Sequence, residues 1–487
     1  MADTVAGSLR QRAASGGKWT ATSAVVAVSI QLLQLGLLGR LLNPTDFGLM
    51  AMMLVVLGLA TSIADFGVGN YLVQTENLSR KLIRQFFFLA TTLATLLALA
   101  VALLANPVAT YYHSPQLSNL LPWFALVIVV TTVSQIQVSV LQRSFQFKSI
   151  AITEIVCSFA TLLVTVALAS AGYGVWSLIV GQISSGVCKV SFLYRGTHRA
   201  LDHLPKSCQA RFVDATHFGC FHVGERLVNF LSSNVDKVII GHLLGPALLG
   251  QYSVAYQLML RPISVINPIV TRVSLPIFSE IKHDNGRLCS GYLQILKILA
   301  LFTFPIYLGL AIGSDAVVSL LIGSQWSNAG PAFSILCISG MLISIGNPTG
   351  TLILAKNKPA LGFYVNFIAL FVYGVAFWLG SAYGLEGVAL ALLLSKVSLL
   401  STLDVYLRWK LVGMTIGAYL YAMRHLFMAV AIPLGFYKVL QINELVARGS
   451  LLQLVYGMVG VLFFCAYLWI FEQPHLKSTY KLMRKGV

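Results

Sequence analysis

The side chains best able to bind a ligand are concentrated in one apolar stretch. His222, Glu225, Arg226, Asn229, Ser233, Asp236 and Lys237 follow spacings of three and four, which puts them on one stripe of a helix. A charge at bilayer depth costs roughly 2.5 to 3.5 kcal/mol on insertion scales, so the stripe must line a cavity or pair internally. Arg226 has the most specific chemistry, because a planar guanidinium holds two phosphate oxygens in parallel hydrogen bonds. Its alternative role is an ion pair with Glu225, Asp65 or Glu154. Asp236 and Lys237 are adjacent and read as an interfacial pair that snorkels to water. Arg261 and Lys396 are further isolated cations at membrane depth, either widening a cationic cavity or satisfying a nearby carbonyl. Asp65 and Glu154 sit towards the cytoplasmic ends of their helices, where capping or pairing is expected.

These residues must be carried by membrane-spanning helices. Hydrophobic residues make up 57% of the 487 positions and charged ones 10%, with a mean hydropathy of +0.80. No soluble domain of this length could cover its surface with so few charges. Apolar runs of about 20 residues recur without a gap long enough for a soluble domain. They begin near 19, 46, 84, 117, 149, 174, 216, 248, 292, 330, 360, 386, 418 and 450, giving an all-α polytopic protein of about fourteen transmembrane helices. The polar start with Arg10, Arg12 and Lys18 precedes a full-length apolar run without a small-residue cleavage site, so it reads as a retained anchor.

The net charge of +17 is distributed in alternate loops rather than in a nucleic-acid-binding patch. Arg80, Lys81 and Arg84, then Arg143 and Lys148, then Lys189, Arg195 and Arg199, and later Arg408 with Lys410, fall on one side. The intervening loops hold only Arg40, Lys438 and Arg448. By the positive-inside rule both termini are cytoplasmic and the helix count is even. The charge therefore sets topology, with a weak attraction to anionic membrane lipids and no nucleic-acid partner.

A ten-residue pattern occurs twice between helices. Gly39-Arg40-Leu41-Leu42-Asn43-Pro44-Thr45-Asp46-Phe47-Gly48 is matched by Gly241-His242-Leu243-Leu244-Gly245-Pro246-Ala247-Leu248-Leu249-Gly250. Gly172-Tyr173-Gly174-Val175 similarly matches Ala382-Tyr383-Gly384-Leu385. With six helices per half, both copies enter the membrane from the same side, so the repeat is parallel about an axis along the membrane normal. The halves are 1–200 and 201–410, and two extra helices with a cytoplasmic tail occupy 411–487. The offset between Gly39 and Gly241 places Gln31 and Gln34 opposite Ser233 and Asp236, so each half presents a polar face. Pro262, Pro268 and Pro305 remove backbone hydrogen bonds mid-span and either bend helices statically or let them flex.

Catalytic chemistry is not legible. There is no GxSxG, HExxH or P-loop, and the seven cysteines show no CxxC spacing, so no enzyme, cofactor, disulfide or metal cluster is expected.

Several segments do resemble a known family. Asn234-Val235-Asp236-Lys237 leading to Gly241, then Gly250-Gln251-Tyr252, Pro276-Ile277-Phe278-Ser279-Glu280 with Tyr292, and Gly323-Ser324-Gln325-Trp326 with Ala329 resemble the polysaccharide-transporter branch of the multidrug/oligosaccharidyl-lipid/polysaccharide exporter superfamily. Asp46-Phe47-Gly48 and Asp65-Phe66-Gly67 are similar to it too. The resemblance implies a Wzx-type flippase of the bacterial inner membrane, moving undecaprenyl-pyrophosphate-linked oligosaccharide for exopolysaccharide, capsule or O-antigen through a cationic cavity by alternating access. A polymerase and a chain-length regulator of the same pathway are the implied partners. The two extra helices depart from the branch's usual twelve and resemble the pair that forms a lipid-tail groove in lipid II flippases.

Two alternatives stay open: an ion-coupled exporter of drugs or organic cations, and a polymerase or ligase of the same glycans. Deep charges that lean basic, with Arg226, Arg261 and Lys396 against Asp65, Glu154 and Glu225, favour an anionic lipid-linked glycan over an organic cation. The loop asymmetry also makes a direct prediction. A reporter fused to the C-terminus should be active only if it is a cytoplasmic reporter, and activity of a periplasm-dependent reporter there would contradict the assigned orientation.

Overall fold

The computed structural model describes residues 2–64, 79–202, 212–442 and 451–471, with the helical stretches 2–18 and 212–222 and a few single positions, Glu225 among them, described by backbone alone. Asp65 lies outside the described residues, as do the side chains of His222 and Glu225. Among the described residues the regular structure is helical. This is what a bilayer demands, because a helix satisfies every backbone group within its own segment. Among the described residues, thirteen helices are long and apolar enough to cross a membrane. One of them, Arg226–Pro268, runs for 43 residues, or about 64 Å at 1.5 Å per residue, twice the ~30 Å hydrocarbon core. It is broken at Gly245, whose φ of 81° and ψ of 177° are not helical. Read as two crossings, it brings the total to the expected fourteen.

The chain separates into two compact units, Met1–Gly250 and Gln251–Val487. The first contains α1 (Ala2–Leu41), α2 (Pro44–Ala64), α3 (Arg80–Leu103), the short α4 (Ala105–Tyr111) and α5 (Gln116–Phe124), α6 (Leu126–Arg143), α7 (Phe147–Ser170), α8 (Val175–Asp202) and the first arm of α9 (Phe212–Glu280), up to its break. Within it α1 packs on α7, α7 on α8, α8 on α6 and α6 on α3. Small residues let these helices approach: a Cβ on Gly181 would lie 2.2 Å from Thr165 Oγ1. At the same α7–α8 contact the thiols of Cys157 and Cys188 are 3.0 Å apart.

The two copies of the ten-residue turn meet inside this unit. A Cβ on Gly48 would fall 1.7 Å from the carbonyl oxygen of Pro246, and one on Gly250 would fall 1.8 Å from that of Pro44. The contact is reciprocal: the glycine of each copy faces the proline of the other, as residues do across a local two-fold. Both turns therefore lie on the same face of the membrane. Asp46 closes the first turn by accepting the Asn43 backbone N–H at 3.1 Å. The second is covered by the end of α4, where His242 Nδ1 is 2.6 Å from the Tyr111 carbonyl and its ring stacks on Tyr111. Burial raises the phenol of neighbouring Tyr112 above its ordinary value. The second duplicated turn is also structurally matched, since Gly174 and Gly384 both have positive φ, 52° and 68°, at the start of a helix.

The second unit contains the later arm of α9, α10 (Asn285–Ile312), α11 (Ser314–Leu321), α12 (Ala329–Ala355), α13 (Pro359–Ser381), α14 (Gly384–Ser401), α15 (Leu403–Val412), α16 (Ile416–Ile442) and α17 (Leu452–Phe471). The two extra helices, α16 and α17, pack on α10. At one crossing a Cβ on Gly457 would approach the Gly309 carbonyl oxygen at 3.0 Å. Buried Gln453 fastens α17 there, accepting the Ala316 N–H at 3.2 Å and reaching Tyr437 Oη at 2.9 Å.

One basic residue departs from its expected place. Arg408, read as a loop cation, is only 1% exposed. Its Nε donates to Tyr292 Oη at 3.1 Å, its guanidinium lies 4.3 Å from the Tyr419 ring centre, and Asp404 is 3.8 Å away on the same helix. Tyr292 Oη also meets Thr349 Oγ1 at 2.9 Å. The aromatic partners and the i,i+4 carboxylate offset the cost of burying the charge.

The turn contact predicts a stability effect. Gly48→Val or Gly250→Val should cost about 3 kcal/mol, the upper range for overpacking, because the neighbour is backbone and cannot swing aside. The thermal midpoint of the purified protein should fall for either variant. It should be unchanged for Gly435→Ala, where a Cβ meets nothing within 4 Å.

Candidate functional site

A cavity of about 680 Å³ opens within the first unit, walled by α2, α3, α6 and the first arm of α9. The α9 wall is Arg226, Asn229, Phe230, Ser233 and Asn234, the i, i+3, i+4, i+7, i+8 face of a helix. The stripe read from the sequence thus does face a cavity at Arg226, Asn229 and Ser233. Among the described lining residues Arg226 is the one that carries a charge, and it is half-buried.

The opposite walls are polar but uncharged. Thr61 and Ser62 on α2 and Thr131 and Thr132 on α6 line the cavity with Gln135. Each hydroxyl donates to a carbonyl on its own helix: Thr61 and Ser62 to Gly58, Thr131 to Val127 and Thr132 to Ile128. The protons are thereby committed, while the hydroxyl oxygens keep lone pairs available as acceptors. Donors come from Arg226 and from the amides of Gln135 and Asn229. Ser233 Oγ reaches Asn229 Oδ1 at 3.4 Å, and Asn234 Nδ2 donates to the Phe230 carbonyl at 2.9 Å. Phe230 itself packs against Gly58 of α2, where a Cβ would come within 2.2 Å of its ring.

The remaining candidates are distributed elsewhere. Gln31 is exposed and Gln34 half-buried on α1, and neither is on the cavity lining. Lys237 donates from Nζ to Asn234 Oδ1 at 2.7 Å, just beyond the cavity residues. Asp236 is 3% exposed and accepts the Lys237 backbone N–H, which corrects the expectation of an interfacial, snorkelling pair. Glu154 accepts from Ser23 Oγ at 3.2 Å and so links α7 to α1. Arg261 and Lys396 belong to the second unit, where Lys396 Nζ stands 4.9 Å from the Tyr373 ring centre. The sequence reading did not single out Thr61, Ser62, Thr131, Thr132 and Gln135, whose signal was an interruption of apolar runs by uncharged polar residues.

Comparison with known proteins decides the family. A family model described as "Polysaccharide biosynthesis protein" matches residues 37–331, more than half of the chain. The chain belongs to the polysaccharide biosynthesis protein family. Membership bears out the resemblance to polysaccharide transporters. The chain is 29% identical to the lipopolysaccharide biosynthesis protein WzxC of Escherichia coli over 80% of each chain. It is also 29% identical to the teichuronic acid biosynthesis protein TuaB of Bacillus subtilis, over 98% of this chain and 99% of that one. The fold is similar to that of the lipid II flippase MurJ in an inward closed conformation, with a TM-score of 0.74 at 14% identity, covering 95% of this chain and 99% of MurJ. This polysaccharide biosynthesis protein is a multi-pass membrane protein with a polar cavity that carries one basic residue among its described lining residues.

Accessibility tests the wall assignment. A cysteine placed at Asn229 or Ser233 should react with a small water-soluble thiol reagent in intact membranes, while one at Leu231, on another face of the same helix, should remain unlabelled. Equal labelling at all three positions would contradict it.

Proposed function

We propose that this protein is a flippase that carries undecaprenyl-pyrophosphate-linked oligosaccharide across the bacterial inner membrane for exopolysaccharide, capsule or O-antigen synthesis. The observation that carries this reading is the cavity: one guanidinium at Arg226 set among hydroxyls and amides. A pyrophosphate needs a fixed cation, and a hydroxyl-rich sugar needs many neutral hydrogen-bond partners. The polyprenyl tail stays in lipid. An organic-cation exporter would instead be served by a carboxylate on the wall, and the charge there is positive among the described lining residues. The names of the relatives, and a fold shared with a lipid-linked saccharide flippase, support the same class of cargo.

In this reading the halves 1–200 and 201–410 alternate access around the polar path, both termini are cytoplasmic, and 411–487 is an appendage. Asn229 and Ser233 hold sugar hydroxyls. Arg261, Lys396, Gln31 and Gln34 serve the same path at other stages of transport. Asp65, Glu154, Glu225, Asp236 and Lys237 provide ion coupling or structural pairing. A polymerase and chain-length regulator of the pathway act on the delivered product.

Arg226 is the test. Charged hydrogen bonds are worth about 1.5 to 3 kcal/mol each, so loss of two is severe. Arg226→Ala should abolish polymer export in a deletion strain while membrane levels of the protein stay normal. Arg226→Lys, a point charge without the planar fork, should restore part of it. Full export by the alanine variant would remove Arg226 from the binding role.

A further inference from the structure

A second cationic cleft lies on the outer surface of the first unit, at the start of α3. It has a volume of about 520 Å³ and, among the described residues, is lined by Arg80, Lys81, Arg84, Gln85 and Phe88. None of these residues lines the Arg226 cavity. Lys81, Arg84, Gln85 and Phe88 follow i, i+3, i+4, i+7 and share one face of the helix. All four are exposed, Phe88 by 74%.

The orientation of this face is fixed by the opposite one. Leu82, Ile83, Phe86 and Ala90 are buried in a cluster with Ile136, Val140, Leu141 and Leu193, so rotating α3 to hide the cations would expose that core. Arg80 is held at the side of the cleft by α8: its Nε donates to the Leu201 carbonyl at 3.1 Å, and its guanidinium pairs with Asp202. Asp202 balances Arg80, so among the described residues the net positive charge of the cleft comes from Lys81 and Arg84.

The order of side chains along the axis matches the layers of a lipid monolayer. From Lys81 to Phe88 the helix rises about 10 Å, more than the roughly 5 to 7 Å between headgroup plane and hydrocarbon. With the start of α3 set at the membrane surface by the positive-inside rule, the two cations and the amide fall within the headgroup layer and the phenyl ring within the acyl-chain layer. Ordinary solvated lysines and arginines at a membrane edge do not require an exposed aromatic below them in a shared cleft.

We propose that this cleft is a binding site for an anionic glycerophospholipid, with the phosphate held by Lys81 and Arg84, Gln85 donating to a headgroup oxygen, and an acyl chain lying along Phe88. The site is independent of the flippase reading and of the Arg226 cavity. It takes a lipid of the leaflet that the basic loops face.

Native mass spectrometry of the full-length protein, titrated with phosphatidylglycerol or phosphatidylcholine, tests this. The parent should retain phosphatidylglycerol preferentially. Lys81→Ala/Arg84→Ala should weaken that retention about thirtyfold, since each cation near a lipid surface contributes about 1 kcal/mol. Lys81→Gln/Arg84→Gln should do the same if the alanine pair accumulates poorly. Lys358→Ala/Lys410→Ala, which removes equal charge from exposed positions elsewhere, should leave retention unchanged. Equal loss in the cleft and control variants would show a generic charge effect and overturn the site, as would no loss in either. A cleft variant that keeps phosphatidylglycerol but no longer retains added undecaprenyl pyrophosphate would also overturn it, assigning the cleft to the carried lipid.

Discussion

The first unit is organised around a contact that tolerates no side chain. Gly48 and Gly250 each press against the carbonyl of the other turn's proline, bringing the end of α1, the start of α2 and the break in α9 to one point on one membrane face. Proline supplies a carbonyl without a competing N–H, and glycine supplies the missing Cβ. Helices in lipid gain little from apolar surface alone, because the tails are equally apolar, so close backbone approach is what fixes them. With the turns locked, the first arm of α9 has a defined end and rotation, and its polar face is directed at α2 and α6.

Electrostatics is handled differently in the two units. In the first, Arg226 lines a space that is polar on several sides and large enough for water. In the second, Arg408 is enclosed by Tyr292, Tyr419 and Asp404 and almost completely buried. The same side chain therefore lines an open polar cavity in one setting and serves as a structural centre in another. The distinction rests on what surrounds each guanidinium, since both are charged at any physiological pH.

Much of this was legible in the sequence because two of its signals are periodic. Apolar run length gave the number and approximate starts of the helices, and even the long α9 was read as two segments because its Gly245-Pro246 punctuation stood out. Three- and four-residue spacing placed Arg226, Asn229 and Ser233 on one face. Burial of Arg408 was not legible, because its partners Tyr292 and Tyr419 come from other helices and its neighbour Lys410 looks like an ordinary loop cation. Transfer by repeat offset singled out Gln31 and Gln34, which stand off the cavity wall, since an offset equates positions in the chain without fixing how each helix is rotated. The threonine and serine walls were hidden for a further reason: single hydroxyls are common in membrane helices, where they bond back to the preceding turn.

That back-bonding has its own consequence. With their protons turned towards Gly58, Val127 and Ile128, the hydroxyls of α2 and α6 present acceptor oxygens whose positions are set by the helix rather than by a guest. Such a surface registers that a neighbour bears hydroxyl groups, but it is nearly indifferent to whether each is axial or equatorial. Stereochemical reading needs paired donors and acceptors held at matched angles. For the cargo of the proposed function the geometry resembles a low-friction bearing more than a lock, with Arg226 the charged group among the described lining residues and a forgiving polar track beside it.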